Sequence, residues 1–188
     1  MKFLDRFLRA WRTRVALDAA PPTMQSALDI GCGDGYLLRG LQIPVRDGID
    51  PTLASDCAEE HLRLYRGSFP TDLGRLTLSG PYDAIFSLAV FEHLAEADLL
   101  LARAAMPNLL RPGGRLIVTV PHPLVDRILD GLLFLRLIDG QAVHEHHGFD
   151  PERLAELASD RLRLILRSRF QLGLNNLFVF ERPVEPCN

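Results

Sequence analysis

The sequence predicts an α/β fold with a mostly parallel sheet and helices on both faces. Short apolar runs alternate with helical patterns along most of the 188 residues, and a glycine-rich turn directly follows the first apolar run. Such alternation is typical of βαβ units, whose strands lie parallel. Neither a repeat nor a low-complexity tract interrupts the pattern, and the length suits one domain.

An amphipathic helix is predicted before the first strand. Phe3, Phe7 and Trp11 fall on one helical face, and basic side chains lie largely around that face. Pro21-Pro22 then breaks the chain. We therefore expect residues 1–22 to form a helix that packs on a domain formed by residues 23–188. A position on a membrane surface is the less favoured alternative.

The strands are predicted from short apolar runs bounded by turn residues. In the part of the chain where strands alternate with helices, the predicted strands are Ser26–Ile30, Val45–Asp50, His61–Arg66, Tyr82–Ser87 and Arg115–Val120. Two further β-rich runs, Arg161–Gln171 and Asn176–Arg182, are separated by residues 172–175. That separation suits a hairpin that closes the fold.

Helical patterns occupy most of the connections. They cover Tyr36–Leu41, Ala95–Leu110, Leu124–Ile138 and Pro151–Ala158, and Asp150 is the predicted N-cap of the last. The link after Asp50 is the exception, since it is short and poorly helical. The segment Leu124–Ile138 is strongly apolar, so we expect a core helix there, with a lid over an apolar substrate as the alternative.

Composition excludes several classes of protein. A net charge of −3 gives no argument for nucleic acid or for an anionic membrane. Cys32, Cys57 and Cys187 are scattered without a C-x-x-C pair, which is typical of a reducing cytoplasm. No run approaches the roughly 20 apolar residues of a membrane span. We expect a cytoplasmic protein without stable membrane insertion.

The glycine-rich turn after the first strand is the first functional signal. Gly31, Gly33 and Gly35 alternate with other residues, so the spacing is neither the G-x-G-x-x-G of dinucleotide binders nor a P-loop. Asp50 ends the second strand, where an acidic side chain accepts hydrogen bonds from both hydroxyls of a ribose. Together they predict a nucleoside ligand without a diphosphate and disfavour a nicotinamide oxidoreductase.

Four motifs carry a family resemblance, namely ALDIGCGDGYLL, GIDPT, YDAIFSLAVFEHL and LLRPGGRLIVTVPHP. In order and spacing they resemble the motifs of class I S-adenosylmethionine-dependent methyltransferases. The small-molecule branch of ubiquinone and menaquinone biosynthesis is the most similar in pattern. The resemblance implies a Rossmann-like, seven-stranded sheet with an antiparallel last strand. S-adenosylmethionine would lie across the carboxyl ends of its strands, and S-adenosylhomocysteine would be the product.

The resemblance also implies a set of cofactor-binding residues. Asp29, Gly31, Cys32 and Gly33 would surround the amino-acid and ribose parts, Asp50 would take the ribose hydroxyls, Pro51 would lie beside the adenine, and Ser87 and Leu88 would lie near the transferred methyl. The family often has an acidic residue after the third strand that contacts the adenine amino group. Here Ser68 and Phe69 occupy that place, and stacking on Phe69 is the expected substitute.

Methyl transfer requires little acid–base machinery, because the sulfonium already activates the methyl group. Orientation can supply on the order of 7–11 kcal/mol, and a general base is needed only if the nucleophile loses a proton. The cluster His144-Glu145-His146-His147 is the densest titratable group, so His146 or His147 is the predicted base. Some relatives bind a metal through E-x-x-E-H, but Ala89 replaces the first Glu, so we expect no metal and only an active-site neighbour in His93.

The expected methyl acceptor is a small molecule. Enzymes that methylate amino groups of nucleic acids have an acidic-or-Asn-Pro-Pro-aromatic tetrapeptide after the fourth strand, whereas this chain has Ser87-Leu88-Ala89-Val90. We therefore expect no nucleic-acid partner, and a monomer or homodimer. A non-catalytic sensor or scaffold that binds S-adenosylmethionine or S-adenosylhomocysteine is the alternative, because the link after Asp50 is short and Ser68-Phe69 is atypical.

Overall fold

The computed structural model describes residues 2–122 and 151–184. Three α-helices lie in these ranges, α1 (Lys2–Asp18), α2 (Tyr36–Arg39) and α3 (Glu96–Leu109). Short 3-10 helices cover Leu73–Arg75, Phe91–His93 and Pro151–Leu157. The strands are β1 (Ser26–Ile30), β2 (Val45–Asp50), β3 (Cys57–Glu59), β4 (Leu62–Arg66), β5 (Tyr82–Leu88), β6 (Leu110–Pro121), β7 (Arg163–Phe170) and β8 (Asn175–Glu181).

All of these strands form one mixed sheet, in the order β3-β4-β2-β1-β5-β6-β8-β7. Strands β4, β2, β1, β5 and β6 run parallel, and β8 lies antiparallel between β6 and β7. The predicted fold class, with its antiparallel last strand, is confirmed. Strand order reverses at β1, because its two neighbours are β2 and β5. The crevice beyond the carboxyl ends of such strands is where α/β proteins bind ligands.

The structure adds one strand and moves some boundaries. Strand β3 pairs antiparallel with β4, where the sequence predicted only a link, and it makes the sheet eight-stranded. Three largely exposed residues carry no periodic signal, so pattern analysis misses them. Strand β6 begins at Leu110 and not at the predicted Arg115. The predicted turn before Arg115 is part of the strand, because Gly113 N donates a hydrogen bond to Arg182 O at 2.8 Å. Pro151–Leu157 forms a 3-10 helix in place of the predicted α-helix.

The core lies on both faces of the sheet, and successive residues of a strand point to opposite faces. On one face Leu28, Ile85 and Val118 pack in a cluster that includes Met106 of α3. On the other face Ala27, Phe86 and Ile117 pack in a cluster that includes Ala16 of α1. Central strands covered on both faces hold the carboxyl edge of the sheet in a fixed position.

Helix α1 is fastened to the sheet by polar as well as apolar contacts. Gln171 Nε2 donates to Leu8 O at 2.8 Å, and Arg115 Nη1 donates to Ala19 O at 3.1 Å. Phe7, predicted on the apolar face, is 54% exposed and lies edge-on to Trp11. In the described part of the chain, no helix has both the length and the apolar character that a membrane span requires.

Candidate active site

The glycine loop lies at the carboxyl end of β1, and its backbone is left-handed at each glycine. Gly31, Gly33 and Gly35 have φ values of 76°, 55° and 77°, a conformation that glycine adopts without steric cost. Gly31 N donates to Ile49 O at 2.8 Å, which ties the loop to β2. At Gly33 a Cβ would have no described atom within 4 Å. At Gly33 the loop therefore presents bare backbone to open space.

Asp50 organises this loop from the end of β2. Its Oδ2 accepts a hydrogen bond from Gly33 N at 2.7 Å, and its Oδ1 accepts from Thr52 N at 2.8 Å and Thr52 Oγ1 at 2.5 Å. A carboxylate has about four acceptor sites. Its bonds to Gly33 and Thr52 leave room on Oδ2 for one more donor, such as a ribose hydroxyl.

A cavity of about 550 Å³, here called the larger cavity, lies beside Asp50. Several predicted binding residues line it together, namely Gly31, Asp50, Pro51, Ser68, Phe69 and Leu88. Its far wall is formed by residues after β5 and by α3, among them His93, Leu94 and Asp98. The predicted neighbour His93 therefore reaches the same cavity as the predicted nucleoside-binding residues.

A second cavity of about 340 Å³, here called the smaller cavity, lies on the other side of the loop. Asp29 of β1, Cys32 of the loop and Leu37 of α2 line it, and Arg9 and Arg12 line it from α1. Gly31 and Leu88 line both cavities. One elongated ligand that passes over Gly31 would therefore reach both.

Val90 stands at this junction. A Cβ on Gly31 would lie 2.2 Å from Val90 Cγ2, so the valine side chain packs directly on the glycine. Ala89, the preceding residue, has a φ of 61°, which is uncommon for a residue other than glycine. Strain of this kind is concentrated at ligand-binding sites.

Burial dominates the electrostatics of the smaller cavity. It raises the pKa of Asp29 to about 8, with a further contribution from the Asp50 charge and an opposing one from Arg9. Burial also raises the pKa of the Cys32 thiol well above its ordinary value, so this cysteine is not a thiolate nucleophile. Burial lowers the pKa of Arg12, which lines the same cavity. Outside this cavity, in the 3-10 helix after β5, burial raises the pKa of Glu92 to about 7.

Ser87, Cys32 and Ser68 have surroundings that the sequence did not indicate. Ser87 is fully buried, and its Oγ has no hydrogen-bond partner among the described residues. Cys32 fills a notch at Gly48, where a Cβ would lie 2.7 Å from its Sγ. Ser68 N donates to Asp72 Oδ2 at 2.7 Å, so a carboxylate does follow β4, but Arg75 Nε also donates to this carboxylate.

The predicted bases His146 and His147, and the segment Leu124–Ile138, lie outside the described residues.

Sequence reasoning missed the contribution of α1 and α3 to the site. Arg9 and Arg12 belong to a helix whose basic residues looked like a solvated face, and Asp98 lies in the first turn of α3. The sequence signal was the arginine-rich α1 itself. Which of its arginines faces the glycine loop depends on how the helix crosses the sheet.

The doubly wound sheet, the glycine loop and the carboxylate at the end of β2 define a nucleoside-binding α/β domain. The chain also matches the family model described as a methyltransferase domain over residues 2–167, and it belongs to that family. The predicted class, a class I S-adenosylmethionine-dependent methyltransferase, is thereby confirmed.

Two curated relatives have similar sequences. One is a tRNA U34 carboxymethyltransferase of Methylococcus capsulatus, 31% identical over 135 residues, which are 62% of this chain and 39% of that protein. The other is a ubiquinone biosynthesis O-methyltransferase of a Caulobacter species, 34% identical over 101 residues, which are 48% of this chain and 38% of that protein. The chain thus spans under half the length of the curated relatives it matches.

A solved structure shares the fold. The 1,6-didemethyltoxoflavin-N1-methyltransferase of Burkholderia thailandensis, solved with its substrate and S-adenosylhomocysteine, has a TM-score of 0.56 and 18% identity. The match covers 93% of this chain and 77% of that one. At this identity the likeness concerns the fold alone.

Proposed function

We propose that this domain binds S-adenosylmethionine across Gly31 and transfers its methyl group to a small-molecule acceptor. The observation that carries the proposal is the meeting of two chemically different cavities at one glycine. The larger cavity has a carboxylate and an aromatic ring, which suit a nucleoside. The smaller cavity has a buried carboxylate and two guanidinium groups, which suit an α-amino acid.

The residues of the larger cavity fit the nucleoside. The remaining acceptor position on Asp50 suits one ribose hydroxyl. Pro51 and Phe69 offer apolar surface to a base, and Phe69 is 7% exposed, so only an edge of its ring is open for contact. Ser68 and Thr71 supply hydroxyl groups beside it.

The residues of the smaller cavity fit a zwitterion. Asp29 is buried and its pKa is raised, so a nearby ammonium would favour its ionised form. Arg9 and Arg12 are the complementary cations for a carboxylate. Arg9 also pairs with Asp34 on the loop, and the side chains of this pair are 48% and 71% exposed. Arg12 is therefore the more desolvated of the two arginines.

The catalytic role of the protein is mainly to position two reactants. When bound, the cofactor supplies an electrophilic methyl group on a sulfonium. Leu88 lies where the cavities meet and would keep water from the reacting atoms. The acceptor would enter on the side of His93, Leu94 and Asp98, and holding it in line contributes on the order of 7–11 kcal/mol in favourable cases. His146 and His147 remain the proposed bases for an acceptor that must lose a proton.

A small-molecule acceptor is supported by the size of the larger cavity and by the pairing of surface arginines. Three surface arginines form ion pairs with glutamates, namely Arg39 with Glu59, Arg163 with Glu181 and Arg167 with Glu152. These pairs weaken the attraction of the arginines for the phosphate backbone of a nucleic acid. The similarity to tRNA U34 carboxymethyltransferases favours RNA as the second candidate acceptor. We further propose a cytoplasmic protein that is a monomer or homodimer.

Release of S-adenosylhomocysteine tests the proposal. The full chain is incubated with S-adenosylmethionine and either a panel of phenols, amines and carboxylic acids or purified tRNA. Turnover with a small molecule supports the proposal. Turnover with tRNA alone would mean that the acceptor is RNA and not a small molecule. Cofactor binding without turnover on either panel would favour a sensor or scaffold of the same fold.

A further inference from the structure

Two buried amide side chains connect the hairpin of β7 and β8 to α1. Gln171 Nε2 donates to Leu8 O at 2.8 Å, and Asn175 Nδ2 donates to Gln171 Oε1 at 2.6 Å. Gln171 is 4% exposed and Asn175 is 7% exposed. This chain of Leu8 O, Gln171 and Asn175 is here called the amide relay. Its first bond joins residues that are 163 positions apart in the sequence.

The direction of the two bonds is fixed by the chemistry of the partners. A backbone carbonyl oxygen can only accept, so Gln171 must present its NH2 group to Leu8 and its oxygen to Asn175. Asn175 must then donate through its own NH2 group. Its Oδ1 is left over, and within the described ranges this buried atom has no hydrogen-bond partner. Because an unpaired buried oxygen is unfavourable, apolar side chains of the same shape would fill this space at lower free energy.

The relay also begins at a strained turn. Gln171 has a φ of 50° and Leu172 a φ of 59°, and Gly173 follows with a φ of 84°. The left-handed conformation is unfavourable for residues other than glycine. Strain of this kind persists where the surrounding structure holds it in place, often at functional sites. The Gln171 amide therefore reaches α1 from a backbone conformation that its own residue type does not favour.

The half of α1 that lines the smaller cavity has little apolar support. In the part of the chain that the structure describes, the core cluster on this face takes up α1 side chains from Val15 onward, and Ala16 is fully buried. Nearer the N-terminus Phe7 is 54% exposed and Leu8 is only half-buried. Leu8 nevertheless lines the smaller cavity, as does Arg12 one turn later. Because apolar stabilisation follows buried area, the core holds the C-terminal half of α1 much more firmly than the cavity-lining half.

Among the described residues, two hydrogen-bonded contacts join the cavity-lining half of α1 to the rest of the protein. One is the pair of Arg9 with Asp34, whose side chains are 48% and 71% exposed, so water screens it. The other is the bond from Gln171 to Leu8 O, whose donor residue is buried. A hydrogen bond shielded from water is electrostatically stronger than a screened ion pair. The amide relay is therefore the firmer of the two contacts.

We propose that Gln171 and Asn175 are positioning residues that hold the cavity-lining half of α1 over the glycine loop and thereby set the affinity for the amino-acid end of the cofactor. Asn175 acts through Gln171, whose amide it orients. Neither residue is among the described residues that line the two cavities, so their effect on a ligand passes through α1. The inference rests on the proposed function, because it assumes that the amino-acid end of S-adenosylmethionine occupies the smaller cavity.

Amide hydrogen exchange of the full chain without ligand measures how firmly α1 is held. Gln171→Met keeps a side chain of similar length and removes the amide. In this variant the backbone amides of residues 8–13 should exchange about 3- to 10-fold faster than in wild type, in the range of one lost hydrogen bond. The amides of residues 15–18 should keep their wild-type rates, because the core holds that half of the helix.

Calorimetry of the full chain with two ligands measures the consequence for binding. S-adenosylhomocysteine has the amino-acid end, and 5′-methylthioadenosine has the same nucleoside without it. Gln171→Met should bind the first ligand about 3- to 10-fold more weakly and the second within about twofold of wild type. A merely structural role of Gln171 would weaken both ligands together.

The order of action within the relay is tested by a second variant. Asn175→Ala should weaken S-adenosylhomocysteine by about 2- to 5-fold. In Gln171→Met/Asn175→Ala the loss should equal that of Gln171→Met alone, because Asn175 acts only through the Gln171 amide. The matched control is Gln25→Met, which removes an exposed amide that also donates to backbone carbonyls, directly before β1. It should change neither the exchange of residues 8–13 nor either affinity.

The outcomes separate the possible failures. Unchanged exchange of residues 8–13 in Gln171→Met would show that the relay does not hold α1. Faster exchange with unchanged affinity for S-adenosylhomocysteine, or an equal loss of both ligands, would rule out the positioning role while the proposed function stands. If wild type binds neither ligand, the proposed function fails, and the exchange rates still decide whether the relay holds α1.

Discussion

Replacement of Gly31 by alanine is the sharpest structural perturbation of this site. The new Cβ would lie 2.2 Å from Val90 Cγ2, on a backbone with a φ of 76°. A left-handed conformation costs an L-residue roughly 1–2 kcal/mol, and overpacking costs about 1–3 kcal/mol. We therefore expect Gly31→Ala to lower the free energy of unfolding by about 2–5 kcal/mol.

Two variants divide this cost into its parts. At Gly33 the φ is 55° and no described atom lies within 4 Å of a Cβ, so Gly33→Ala should lose only the backbone part of roughly 1–2 kcal/mol. In Gly31→Ala/Val90→Ala the nearest remaining atom is Val90 Cβ at 3.5 Å, an ordinary contact. The double variant should therefore recover about 1–3 kcal/mol relative to the sum of the single variants.

Urea denaturation of wild type, the three single variants and the double variant gives these free energies, provided that the slopes agree. Equal destabilisation by Gly31→Ala and Gly33→Ala, or additivity of Gly31→Ala with Val90→Ala, would contradict a steric contact between Val90 and the loop. Either result would mean that Val90 does not pack on the loop. The larger cavity would then lack the contact between Val90 and the glycine loop.

Three further predictions concern single side chains. Asp50→Asn replaces an acceptor of three hydrogen bonds with a group that accepts at one atom only; calorimetry should show about 10-fold or greater loss of S-adenosylhomocysteine affinity, and unchanged affinity would contradict the role of Asp50. The pKa of Glu92 is about 7 in the folded protein against an ordinary 4.5, so its contribution to stability is full below that ordinary value and is lost as the pH rises through 7. Glu92→Gln removes this pH dependence, so the free energy of unfolding of the variant should rise relative to that of wild type by about 3 kcal/mol as the pH rises from below 4.5 to above 7. Parallel curves of stability against pH would show that the carboxyl titrates normally. Tyr82→Phe deletes a buried 2.5 Å bond to Asp47 Oδ2 at the opposite end of the sheet; denaturation should show a loss of about 1.5–3 kcal/mol with cofactor affinity unchanged, and a loss of affinity would place Tyr82 in the site.

The parts of the site that are local in sequence could be predicted from it. The glycine loop and Asp50 each follow a buried strand, and parallel pairing of β1 with β2 places Asp29 opposite Gly48, so both strand ends meet at one edge. Pro51, Ser68 and Phe69 gather there for the same reason, because β4 pairs with β2.

The rest depends on contacts between distant segments. Arg9 and Arg12 reach the smaller cavity only because α1 packs against β5 and β6, and no periodicity in the sequence of α1 indicates that packing. The left-handed Ala89 that turns Val90 onto Gly31 is also invisible to residue preference, since alanine rarely adopts this conformation. Strand β3 is missed because backbone pairing, and no apolar pattern, holds it on the exposed edge.

In the proposed function, one S-adenosyl nucleoside spans both cavities across Gly31. Calorimetric titration of the full chain with S-adenosylhomocysteine, and separately with NAD, measures whether it does. We expect one-site binding of S-adenosylhomocysteine in the micromolar range and no binding of NAD, because the glycine spacing lacks the pyrophosphate fingerprint. Absence of S-adenosylhomocysteine binding, or equal binding of NAD, would contradict it.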